Sequence, residues 1–125
     1  MTPLETALLF LDRINQHDPI KLAEVMSEDH VFIDSLGRTM RGREAMRQGW
    51  RSYYAMCPDY RVSHEEIFTK GNVVGVFGTA GGTISGNGWE TPSAWRAVIE
   101  NGLVKEWRVY ADNKPVYDIL AKAPK

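Results

Sequence analysis

Residues 89–112 read Trp89-Glu90-Thr91-Pro92-Ser93-Ala94-Trp95-Arg96-Ala97-Val98-Ile99-Glu100-Asn101-Gly102-Leu103-Val104-Lys105-Glu106-Trp107-Arg108-Val109-Tyr110-Ala111-Asp112. Asn101-Gly102 is a strong two-residue hairpin signal, because both residues tolerate the positive φ that such a turn demands. It joins a strand over Trp89–Ile99 to a strand over Leu103–Asp112. Upstream, Tyr60–Thr69 alternates loosely, Gly71-Asn72 can turn the chain, and Val73–Thr79 is an apolar run. Ser85–Gly88 reads as a loop. The second half is therefore a long antiparallel meander. Gly75, Gly78, Gly81 and Gly82 cluster within or just after one strand. Glycine weakens a flat strand, so the cluster predicts a sharp bend or a close backbone approach, unless the segment is a glycine-rich loop. It is not a phosphate loop, because no Lys-Ser/Thr ending or helix start follows.

The first half is helical. Thr2-Pro3-Leu4-Glu5 combines an N-cap, a proline at the first helical position and a capping-box glutamate. Leu4, Ala7, Leu8, Leu11 and Ile14 follow at helical spacing, to about Gln16. Asp18-Pro19 starts a short second helix with Ile20, Leu22, Ala23 and Met26 as its stripe, ended by Glu28 and Asp29. His30–Asp34 reads as a strand with Val31 and Ile33 on one face and His30, Phe32 and Asp34 on the other. Leu36-Gly37-Arg38 turns into a short return over Thr39–Arg41. Gly42 opens a third helix through about Met56, with Met46, Trp50, Tyr53, Tyr54 and Cys57 in one stripe. Pro58-Asp59 breaks it. Lys114–Ala121 is a short tail with a helical turn. Helices first and a meander after is the α+β pattern.

Composition bounds the function. The chain has 125 residues, 43% hydrophobic and 25% charged, with a formal net charge of −1. One domain with one core fits that length. The balanced charge argues against nucleic acid or an anionic membrane as partner, since both select a clustered basic excess. One cysteine excludes an internal disulfide and any multi-cysteine zinc site. No apolar run approaches the roughly 20 residues of a membrane span. Glu5 and Asp12 interrupt the N-terminal apolar stretch and no basic segment precedes it, so a reducing, cytoplasmic setting is expected.

Four segments together resemble the SnoaL-like polyketide cyclases, within the larger group that shares the nuclear transport factor and ketosteroid isomerase fold. They are Asn15-Gln16-His17-Asp18 with the strand to Asp34, then Arg41-Gly42-Arg43-Glu44-Ala45-Met46, then Cys57-Pro58-Asp59-Tyr60, and Glu100–Trp107 with Tyr110-Ala111-Asp112. The resemblance covers about residues 4 to 120. It implies a cone-shaped α+β barrel, with a curved antiparallel sheet wrapping the first helix, a pocket at the open end, and a homodimer through the outer sheet face. The group includes isomerases, cyclases, dehydratases, epoxide hydrolases and plain binding domains, so the fold does not assign a reaction.

Three residues are candidates for acid–base work. Asp34 shares a strand face with Phe32, and an apolar pocket would raise its pKa and let it shuttle a proton. Its spacing before Arg41-Gly42 is close to that of the proton-shuttling aspartate of ketosteroid isomerase, one residue short. The bland alternative is a turn aspartate that accepts from backbone near Ser35–Gly37. Asp112 resembles the acid/base aspartate ending the last strand of the cyclases. Alternation puts it with Arg108 and Tyr110 and opposite Trp107 and Val109, and it could equally cap the tail. His30 could partner either aspartate, or sit at the sheet rim in water. The isomerase oxyanion pair is missing: Phe10 stands at the first-helix tyrosine, and Ala94–Ala97 carries no acid. The epoxide-hydrolase relay is missing too, because Ala97 and Val98 follow Arg96. Ala80 stands where many cyclase relatives carry a histidine after Gly-Thr. The three histidines have no metal-ligand spacing, so no metal and no cofactor are expected. Cys57 has no basic neighbour and reads as buried and inert.

The aromatic residues form the stronger signal. Phe32, Trp50, Tyr53, Tyr54, Trp89, Trp95, Trp107 and Tyr110 can line one cavity for a small hydrophobic or polyketide-like molecule. Each could be plain core instead. Three readings follow: cofactor-free acid–base chemistry of the isomerase, cyclase or dehydratase class; a non-catalytic small-molecule binding protein; or a dimeric interaction module using the outer sheet face.

Overall fold

Six strands form a single curved sheet in the order β2-β1-β6-β5-β4-β3, and the computed structural model describes residues 1–122. The elements run α1 (Pro3–Gln16), α2 (Pro19–Ala23), β1 (Met26–Ile33), β2 (Thr39–Arg41), α3 (Arg43–Met56), β3 (Arg61–Lys70), β4 (Val73–Ile84), β5 (Asn87–Glu100), β6 (Leu103–Ala111) and α4 (Lys114–Lys122). Every neighbouring pair is antiparallel except β1 and β6, which are parallel. That pairing carries the N-terminal half of the chain onto the free side of the meander.

The local signals act as their chemistry dictates. Thr2 Oγ1 accepts from the Glu5 N–H and Glu5 accepts from the Thr2 N–H, closing the capping box. Asp18 Oδ1 accepts from the N–H groups of Ile20 and Lys21 and caps α2. Asn101 and Gly102 both take positive φ, 55° and 73°, in the β5–β6 turn. The glycine cluster of β4 lies inside the strand, not in a loop. A Cβ on Gly78 would collide with the Ser63 carbonyl, beside the bulge where β3 shifts register between His64 and Glu66. A Cβ on Gly82 would collide with Cys57 Sγ at the end of α3. These two positions let β4 lie flush against β3 on one side and the end of α3 on the other.

Alternation sorts the sheet into two faces. Trp89, Thr91, Ser93, Trp95, Ala97 and Ile99 of β5 are buried, and the residues between them point outward. The inner face packs on α1 through Ala7, Phe10, Leu11 and Ile14. Phe10 sits 4.7 Å from Trp107, centroid to centroid. Asn15 holds α1 to the start of β3 with both halves of its amide, donating to the Val62 carbonyl and accepting from the Val62 N–H.

Three expectations are corrected. The stripe of α1 is rotated: Phe10 and Thr6 are buried, while Leu4 and Leu8 are over a third exposed. Ile20 is outside the core, and Met26 belongs to β1 rather than α2. β1 begins four residues before His30, because Glu28 and Asp29 are outward, exposed strand residues and do not stop it. Asp34 lies just beyond β1, in the turn.

Candidate functional site

The cone closes at one end on α1 and opens at the other on a cavity of about 320 Å³. Its walls come from α3 (Met46, Trp50, Tyr53, Met56), from Tyr60 after the helix, and from Phe32 of β1. The sheet adds Ala80, Trp89, Ser93, Trp95, Trp107, Val109 and Ala111. The exposed end is rimmed by Asp34, Ser35 and Arg38 of the β1–β2 turn and by Asn113, Val116, Tyr117 and Leu120 of the C-terminal segment. Asn113 Nδ2 donates to Ser35 Oγ at 3.1 Å and ties the two halves of the rim together.

The local sequence explains how these side chains reach one place. The i, i+4 and i+7 spacing of Met46, Trp50 and Tyr53 keeps them on the sheet-facing side of α3. Pro58-Asp59 then turns the chain, and Asp59 fixes that turn by accepting from both the N–H (2.7 Å) and the Oγ1 (2.8 Å) of Thr83 in β4. Those bonds hold the Asp59 carboxyl below its usual pKa. Tyr60 is thereby set into the wall, its ring 4.9 Å from that of Tyr53 and 6.1 Å from that of Trp89. Sequence periodicity missed Tyr60, which lies beyond the helical stripe. The signal was its place directly after the Pro-Asp break.

Of the eight aromatic residues expected to share a cavity, six line it: Phe32, Trp50, Tyr53, Trp89, Trp95 and Trp107. Two lie elsewhere. Tyr54 points toward α1, where its hydroxyl donates to the Ile14 carbonyl at 2.7 Å and its ring stacks on His17. Tyr110 is 47% exposed on the outer sheet face, under the Arg108 guanidinium. The phase of β6 is the reason. Trp107, Val109 and Ala111 face inward, so Arg108, Tyr110 and Asp112 face out.

The three acid–base candidates are not brought together. Asp34 is at the rim, and both oxygens of its carboxylate are held by its own turn. Oδ1 accepts from the N–H groups of Leu36 and Arg38, both at 2.9 Å, and Oδ2 accepts from Arg38 Nε at 2.7 Å. Partial desolvation pushes its pKa up, but the backbone and guanidinium donors of Arg38 and the Leu36 N–H outweigh it, and the net shift is downward. The expected raised pKa is overturned, and the turn-aspartate geometry is the one present. Asp112 is exposed, and its Oδ1 accepts from the Lys114 N–H at the start of α4. It does not line the cavity. His30 is not at a wet rim. It is completely buried, with Nδ1 2.6 Å from the Val104 carbonyl, and it does not reach the cavity either. Cys57 is buried, and desolvation pushes its thiol up. Among the described residues no three His, Cys, Asp or Glu side chains converge as metal ligands, and no helix is long and apolar enough to cross a membrane.

The inner cavity is therefore apolar and aromatic, with a few hydroxyls and no free charge. Among the described lining residues the only charged side chains are Asp34 and Arg38, which pair with each other.

Known proteins share this architecture. A solved structure from Jannaschia Sp. CCS1, assigned as a SnoaL-like polyketide cyclase, is 19% identical, with 98% of this chain and 93% of that one covered at a TM-score of 0.84. A ketosteroid isomerase-like protein from Catenulispora acidiphila, in complex with trimethylamine, is 22% identical over 88% and 86% of the two chains, with a TM-score of 0.79. An LEH-like epoxide hydrolase of M. tuberculosis is 18% identical over 95% and 86%, with a TM-score of 0.81. No curated protein matches the chain. At these identities the structures show a common fold. The family model for the SnoaL-like domain matches residues 7–107, most of α1 through Trp107 of β6, and the chain belongs to that family.

Proposed function

We propose that this protein binds a small hydrophobic molecule in the aromatic cavity and does so without acid–base turnover. The observation that carries this reading is the state of Asp34. Among the described residues it is the only carboxylate in the cavity lining, and its two oxygens already take three donors. A base held below its usual pKa is a weak proton acceptor, and among the described residues the wall opposite offers no charged group to stabilise an enolate. Known neighbours with this fold include a protein assigned as a cyclase and an epoxide hydrolase, but the arginine–aspartate adjacency sought at Arg96-Ala97-Val98 is absent here. The proposal includes a reducing, cytoplasmic setting, which the single buried thiol supports.

One observation favours a second reading. Asp34 does line the cavity, so a substrate that displaced Arg38 could meet a proton shuttle. The two readings separate in one experiment. Single-ring and two-ring apolar compounds are screened by thermal shift, and enolisable ketones among them are followed by NMR for deuterium incorporation from heavy water. The binding reading expects ligand-induced stabilisation of wild type and Asp34→Asn alike, with exchange no faster than buffer in both. Exchange accelerated by wild type and lost in Asp34→Asn would transfer the assignment to acid–base catalysis.

We also propose a homodimer through the outer sheet face. Phe68 and Phe77 are 60% and 47% exposed there and stack edge to face at 5.9 Å. Phe77, Ala94 and Tyr110 continue as one row across β4, β5 and β6. Light scattering on the eluting peak is expected to give twice the chain mass, and Phe77→Glu to give the monomer mass. A monomer mass for wild type at all concentrations would remove this proposal.

A further inference from the structure

Two hydroxyls in the cavity wall have no described partner, and they narrow the ligand class. Tyr54 donates its hydroxyl to a backbone carbonyl. Tyr53, its neighbour in sequence, lines the cavity instead, and so does Tyr60, which is only 8% exposed. Neither hydroxyl forms a hydrogen bond with another described residue. Their rings stand nearly perpendicular, at 88°. Burial raises the pKa of both phenols, so each keeps its proton and remains a donor.

We propose, building on the binding reading above, that Tyr53 and Tyr60 form the polar end of the site and that the ligand is an uncharged one- or two-ring molecule whose carbonyl-type oxygen accepts from these hydroxyls. Size supports the first part. About 320 Å³ lies at the lower end of the ligand-pocket range of about 300–1,000 Å³ and has ample room for a one- or two-ring molecule. Charge supports the second. A buried anion or cation needs a partner, and among the described residues the only charged lining groups, Asp34 and Arg38, neutralise each other at the rim 2.7 Å apart. A cation entering through the rim also meets the largely exposed Arg38 guanidinium. Donor geometry supports the third. Both hydroxyls belong to cavity-lining residues and have no described acceptor, and the buried indole N–H groups of Trp50 and Trp89 in the same wall have none either, so the wall offers donors to a ligand oxygen.

The test uses one two-ring shape in four chemical states. 1-Tetralone carries a carbonyl, tetralin carries no polar group, tetrahydro-1-naphthoate is an anion and 1-aminotetralin is a cation at neutral pH. Trp50, Trp89, Trp95 and Trp107 all line the cavity, so their four indole N–H resonances in a nitrogen-15 spectrum report binding. Wild type is expected to bind 1-tetralone about five- to tenfold more tightly than tetralin, the worth of one net hydrogen bond. Both charged forms should bind more weakly than tetralone. In the Tyr53→Phe/Tyr60→Phe double variant, tetralone should fall to the affinity of tetralin, while tetralin itself is unchanged. That unchanged value certifies an intact cavity, and the two single variants replace the double one if it misfolds. Equal tetralone and tetralin affinity in wild type, a tetralone advantage that survives in the variants, or tightest binding by either charged form would overturn the proposal. Failure of all four compounds to move any indole resonance would instead overturn the binding reading beneath it.

Discussion

Replacing Trp107 by alanine is expected to destabilise the protein by about 3–5 kcal/mol, the range for truncating a buried aromatic side chain. Trp107 is 1% exposed in the centre of β6. Its ring lies on Phe10 of α1 at 4.7 Å and parallel to Trp95 of β5 at 6.3 Å, so it joins the helix to the sheet. The change strips contacts from both layers, and neither can relax without moving the other. Trp50→Ala should cost visibly less. Both side chains border the cavity, but Trp50 is more exposed, at 7% against 1%, and does not join α1 to the sheet as Trp107 does. Urea unfolding of both variants beside wild type decides the matter. Equal losses would mean that the cavity wall is as tightly packed as the core and that the space beside Trp50 closes in solution.

How much of this was readable follows from the range of each interaction. Thr2, Asp18 and Asn101-Gly102 act within a few residues, and their structures follow from sequence directly. The crowding of Gly78 and Gly82 was also legible as a type of event, although their partners, Ser63 and Cys57, were not. The α+β order and the inward stripe of α3 came through, because periodicity records which face is buried, while the family rested on the resemblance of four short motifs. Register and phase did not. The β1–β6 ladder slips between Met26 and Val31, and β6 is bulged between Val104 and Glu106, so alternation counted along the chain loses its reference. Whether Trp107 or Tyr110 faced inward was fixed only when β6 paired with its neighbours.

The acid–base candidates show the same limit in electrostatics. An aspartate near Phe32 suggests a desolvated acid, and Arg38 four residues on suggests a salt bridge, but sequence does not say which one wins. The turn brings Arg38 Nε to 2.7 Å, and the bridge wins. Asp112 reads from sequence as either an acid or a cap, and its carboxylate accepts from the Lys114 N–H at the start of α4. In sequence, a histidine between Asp29 and Val31 reads as an amphipathic rim residue. Tertiary pairing, not local pattern, buried it.

His30 gives the second large effect, because its ring substitutes for ladder hydrogen bonding. Where the β1–β6 register slips, Nδ1 lies 2.6 Å from the Val104 carbonyl, and the His30 carbonyl in turn accepts from the Gly42 N–H at 2.7 Å. The carbonyl partner makes Nδ1 the protonated nitrogen. Nε2 is then a bare acceptor, buried and without a partner among the described residues. Desolvation lowers the His30 pKa from 6.5, and the Val104 bond and the Asp29 charge oppose it only in part. The sign follows from linkage. The unfolded chain takes up a proton near pH 6.5 while the folded chain still refuses it. Stability is therefore full above that pH and falls as the pH drops, with a slope of up to about 1.4 kcal/mol per unit until the folded histidine itself titrates. His30→Asn keeps a donor for Val104 and removes the titration. It should be less stable than wild type at pH 8 through lost packing, yet its stability should change less between pH 7 and pH 5.5. His30→Ala, lacking both donor and ring, should lose about 2–5 kcal/mol at pH 8. Chemical denaturation at both pH values checks these outcomes. Parallel pH dependence in wild type and His30→Asn would place the proton uptake elsewhere and leave His30 a packing residue alone.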